Sequence, residues 1–76
     1  MVKLGDLVTP IDNMVTVRSV RSPTFGSRGD ERFWKRGDPA LVIELAEPIL
    51  EKACILLQGK KWWISSKRIE VISEAG

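Results

Sequence analysis

The sequence predicts an all-β domain, a small barrel of five or six strands with a long first loop. Three observations predict it. Short β-branched and apolar stretches alternate with Gly, Pro, Asn and Asp breaks. The segment Lys52 to Ser65 folds on a central glycine into a hairpin with one wholly apolar face. Between the second and third stretches, Arg21 to Asp38 is rich in arginine and glycine and reads as a loop.

In chain order, Lys3 to Pro10 is the first strand, with Leu4, Leu7 and Val8 apolar and Gly5-Asp6 supplying a turn. Pro10 and Asp12-Asn13 break it. Met14 to Val20 sets Val15, Val17 and Val20 among polar residues, a second strand. The long loop follows, with one helical turn expected around Glu31 to Trp34. Its tip, Pro23 to Asp30, has little apolar surface to pin it, whereas Phe33-Trp34 is expected to dock on the barrel. Ala40 to Ala46 is the next strand, with Leu41, Ile43 and Leu45 on one side and Val42 and Glu44 on the other. Glu47-Pro48 ends it. After the hairpin, Ser66-Lys67-Arg68 reads as a 3₁₀ turn and Ile69 to Ile72 as the closing strand; Ser73 to Gly76 is expected to fray.

The hairpin loop can be Gly59-Lys60, a type II′ turn, or Gln58-Gly59. Both loops have two residues, so the faces are the same. Ala53, Ile55, Leu57, Trp62 and Ile64 form the core face. Lys52, Cys54, Leu56, Gln58, Lys61, Trp63 and Ser65 face the other way.

A chain of 76 residues is one domain, spanning 1–76. So small a domain buries only about 60% of its unfolded surface, which leaves a narrow stability margin. Cys54 is the only cysteine and there is no histidine, so neither an internal disulfide nor a closed zinc site can help. The lone thiol and the lack of a signal-like apolar run point to a reducing, cytoplasmic setting. No apolar stretch approaches the roughly 20 residues that span a bilayer. A net charge of +2 adds little to a nucleic-acid reading.

The segment Phe33-Trp34-Lys35-Arg36-Gly37-Asp38 through Ile72 resembles the SH3-like fold family. Phe-x-Lys-x-Gly before an apolar strand is similar to that family's diverging turn. Trp63-Ile64-Ser65-Ser66-Lys67-Arg68-Ile69 falls where it places its last hairpin strand, 3₁₀ turn and closing strand. The opening Lys-Leu-Gly-Asp-Leu-Val and the Gly-Lys-Lys-Trp-Trp-Ile ending are also similar to small uncharacterised SH3-like proteins of bacteriophages and marine environmental genomes. The resemblance implies fold and no activity. True SH3 domains read proline-rich peptides through a tyrosine-rich groove. Here there is no tyrosine, Ser65 and Arg68 stand at the Pro and Tyr positions, and the long loop is basic, which counts against polyproline binding.

Catalysis is not expected. The commonest general base is missing, and the carboxylates are scattered among Lys and Arg. Cys54 lies mid-strand among apolar residues as a packing thiol. No phosphate-binding glycine loop, metal set, cofactor or small-molecule substrate is suggested. Arg-Gly-Asp occurs twice, at Arg28 to Asp30 and Arg36 to Asp38, as ordinary turn chemistry. Trp62 belongs to the core. Trp63 faces outward, either free as an anchor or covered by Phe25, Phe33 or Trp34.

The leading expectation is a non-enzymatic protein-interaction or assembly module, able to self-associate, with Leu56, Trp63, Trp34 and Lys61 as its contacts. The alternative is nucleic-acid binding through Arg28, Arg32, Lys35, Arg36, Lys60 and Lys61, with an exposed Trp for stacking.

Overall fold

The computed structural model describes residues 2–21, 26, 29–46 and 51–75. Seven strands form one curled antiparallel sheet, a half-barrel. They are β1 (Leu7–Pro10), β2 (Met14–Arg18), β3 (Glu31–Lys35), β4 (Ala40–Ala46), β5 (Lys52–Leu57), β6 (Lys60–Ser65) and β7 (Ile69–Ser73). A 3₁₀ turn, Ser66–Arg68, links β6 to β7. Across the sheet the order is β3-β2-β6-β5-β4-β1-β7. The all-β class is as expected, but the described residues form seven strands rather than five or six.

The additional strand comes from the long loop. Glu31–Lys35 is not a helical turn; it pairs with β2, Val15 opposite Trp34 and Val17 opposite Arg32. Adjacent aromatics obscure this alternation in the sequence, because Trp34 points into the core while Phe33 stands 64% exposed. The Trp34 indole N–H donates to the Asp38 carbonyl at 2.8 Å, fixing the turn after β3. That turn is tied to β1 by Gly37 N–H, which donates to Thr9 Oγ1 at 2.7 Å. Most of the expected mobile tip, Pro23 to Asp30, lies outside the described residues.

The β5–β6 hairpin turns at Gln58-Gly59, with Leu57 opposite Lys60, Ile55 opposite Trp62 and Ala53 opposite Ile64. Both loop residues have positive φ, 53° and 77°, as a type I′ turn requires. The core face is as expected: Ala53, Ile55, Leu57, Trp62 and Ile64 are all buried. In β4 the expected faces are corrected. The register shifts between Val42 and Glu44, so Ala40 and Val42 point inward, Leu41 points out, and Leu45 returns to the core. One extra residue in a strand reverses the parity beyond it.

Asp6 closes the two ends of the chain on each other. Its buried carboxylate accepts from the Lys3 N–H at 2.8 Å and the Ala75 N–H at 2.7 Å. Those two bonds, Ala75 first, hold its pKa below the ordinary 3.8. Order therefore continues to Ala75, past the point where fraying was expected. Among the described residues, no helix is long and apolar enough to cross a membrane.

Candidate functional site: a cationic groove beside Trp63

β2 and β6 are paired at one position, Arg18 opposite Trp63. Beyond it the strands diverge. β2 is held instead by β3, and β6 by β5, so nothing pulls the two together over the rest of their length. The divergence leaves an open groove of about 300 Å³. Buried Val15 and Ile64 and half-buried Val20 give it an apolar lining, and Thr16 and Ser65 bring hydroxyls. Arg18, Lys52 and Arg68 supply three cations; no carboxylate lines it among the described residues.

Period-two alternation places these groups. Arg18 and Thr16 share the outward face of β2, as Trp63 and Ser65 do on β6. The hairpin register then puts Lys52 directly opposite Ser65. Arg68 follows from the 3₁₀ turn, whose start is fixed by Ser65 Oγ accepting from the Lys67 N–H at 3.4 Å. Ser66 donates from both its N–H (2.8 Å) and its hydroxyl (3.0 Å) to the Glu51 carbonyl, which holds Glu51 at φ 49° where β5 begins.

Trp63 is half-buried, and the Arg21 guanidinium lies 5.9 Å from its ring centroid. The cations are only loosely engaged. Arg18 reaches Glu31 at 3.8 Å and Arg68 reaches Asp12 at 3.7 Å, both on exposed side chains where an ion pair contributes about 0–1 kcal/mol. Lys52 has no ion pair among the described residues.

Of the residues singled out from the sequence, few line the groove. Trp63 is in the groove. Trp34, expected as a contact, is instead core at 1% exposure and has no surface to offer a partner. Leu56 shares the outward face of Lys52 and Trp63 but does not line the groove; it stands in a cross-sheet row where Leu7 faces Leu41, Leu41 faces Leu56, and Leu56 faces Lys61. Arg32 and Lys60 cover the core indole of Trp62 from 5.9 and 4.7 Å. They are also committed to Gln58 (2.9 Å) and Asp30 (2.8 Å), and the Lys60 contact holds the Asp30 pKa below its ordinary value. Arg36 pairs with Glu70 at 3.7 Å, and Lys35 is exposed opposite Met14. Arg28 lies outside the described residues. The five described cations of that set are thus not gathered on one face. Cys54 is buried, and burial pushes its thiol pKa up.

Sequence reasoning passed over Thr16, Arg18 and Lys52. Lys52 was recoverable, because the Gln58-Gly59 turn sets it against Ser65. Arg18 and Thr16 were not, since the adjacency of β2 and β6 is a tertiary fact. Compared with known proteins, the chain matches no family model, no curated protein and no solved structure.

Proposed function

We propose that this domain is a non-enzymatic protein-interaction module whose contact site is the groove between β2 and β6. The observation that carries this is that β2 and β6 pair only at Arg18–Trp63 among the described residues, which leaves an aromatic, an apolar lining, two hydroxyls and three cations facing one open space. An extended segment of a partner fits such a space, with the Trp63 edge as anchor.

The nucleic-acid alternative is less well supported. Stacking on bases needs a free aromatic face. Trp34 and Trp62 are buried, and one face of Trp63 already carries Arg21.

Selection of random displayed peptides on the immobilised domain tests the reading. Peptides retained by the wild type should be lost on Thr16→Trp, which fills the groove from an exposed position. Peptides that bind both proteins equally, or no enrichment at all, would remove the groove as the site.

A further inference from the structure

We infer that the groove selects an acidic extended segment, with carboxylates at alternate positions met by Arg18 at one level and by Lys52 and Arg68 at the next. This rests on the interaction-module reading above and adds the chemistry of the partner.

The spacing carries the argument. Trp63 and Ser65 point the same way from β6, two residues and therefore about 6.6–6.8 Å apart. Arg18 stands opposite Trp63 on the β2 side of β6, and Lys52 stands opposite Ser65 on the β5 side, so the cations flank β6 at two levels one such step apart along it. Arg68 lies just past the second level. An extended peptide presents its side chains on one face at the same interval. In a segment lying along β6, carboxylates at i and i+2 would meet both levels together, with Ser65 offering a hydroxyl donor at the second and Thr16 another from β2.

The charge balance favours the same ligand. Three cations and no carboxylate line the groove among the described residues, in a chain whose net charge is only +2. The present partners of Arg18 and Arg68 sit at 3.8 and 3.7 Å on exposed side chains, so an incoming carboxylate displaces little. Lys52 is half-buried beside the apolar floor, where an anion is screened less than on open surface.

The test is fluorescence anisotropy with three labelled synthetic peptides of about twelve residues, carrying Glu, Gln or Lys at every second position, and an oligothymidylate of similar length. The Glu peptide should bind about ten-fold tighter than the Gln peptide and weaken with salt. The double variant Lys52→Glu, Arg68→Glu should reverse the order in favour of the Lys peptide. Its thermal melt is compared with wild type, and Lys52→Gln alone replaces it if the double change lowers the melting point. Equal affinity for Glu and Gln peptides overturns the charge selection but leaves the interaction reading, which Thr16→Trp tests separately. Tightest binding by the oligothymidylate, or no binding by the Glu peptide, also overturns the inference.

Discussion

The two hairpins that flank the groove are held together by different means. β5–β6 turns in two residues, and its register follows from backbone geometry at Gln58-Gly59. β2–β3 is joined through the longer stretch Ser19 to Asp30, so its closing entropy is larger than that of a two-residue turn. Side chains hold it instead. Ser19 Oγ accepts from the Asp30 N–H at 2.7 Å, Trp34 packs into the core opposite Val15, and the turn after Trp34 is bonded to Thr9. One hairpin is set locally, the other by what it packs against. The groove exists because β6 follows the first and β2 the second.

Replacing each hairpin's buried tryptophan separates these two modes. Trp62→Ala and Trp34→Ala should each cost about 3–5 kcal/mol, the usual loss for a truncated core aromatic. The consequences should differ. Trp62 sits mid-sheet with buried neighbours on β5, so its loss should unfold the whole domain. Trp34 sits on β3, at one end of the strand order, so its loss should free that strand first. Amide hydrogen exchange would show this as lost protection across Val15 to Arg18 and Arg32 to Trp34, ahead of β5. Uniform loss of protection in both variants would mean that the two hairpins fold as one unit.

The same contrast explains what could be read from the sequence. The faces of β5 and β6 were legible because a two-residue turn and strict alternation leave one apolar side. β3 was not. Its five residues contain one core side chain, Trp34, beside an exposed Phe33, and no local rule says which is which. The bulge in β4 was equally silent, since Ala-Leu-Val-Ile-Glu-Leu-Ala is apolar enough to suit either parity. At the site, Trp63 was legible by alternation, whereas its cationic neighbours depend on which strand lies beside β6.

Acid should loosen the closure of the chain's two ends. Asp6 has a folded pKa below its unfolded 3.8, so its contribution is fully present above that value and is lost as pH falls through the folded one. Asp30, lowered by Lys60 on the surface, adds a smaller loss of the same sign. Thermal melts from pH 7 downward should stay flat to about pH 4 and then fall. Asp6→Asn should start lower at pH 7 and show a shallower acid limb, because it no longer presents two acceptor oxygens to Lys3 and Ala75. An unchanged acid limb would place the sensitivity elsewhere.

Trp63→Ala should cost less than either buried tryptophan, about 1–2 kcal/mol, because the ring is only half-buried. Peptide binding should fall by a larger factor than this stability loss explains. A melt as damaged as that of Trp62→Ala would mean that Trp63 is a structural wall rather than an anchor.

The smallest effect concerns the turn that fixes the local hairpin. Gln58 sits at φ 53°, a left-handed conformation in which Asn is much better accommodated than Gln. Gln58→Asn creates the preferred Asn-Gly pair and should stabilise by about 0.5 kcal/mol, raising the melting point by about 2–4 °C. Against this stands one contact between the hairpins, the Arg32 Nη1 donor to Gln58 Oε1 at 2.9 Å, which the shorter side chain gives up. That bond is exposed and so weak. The sign of the shift weighs backbone turn against cross-hairpin contact. A rise supports a hairpin fixed by its own turn; a fall would show that β5–β6 also depends on Arg32, and through it on the strand whose place is set by packing.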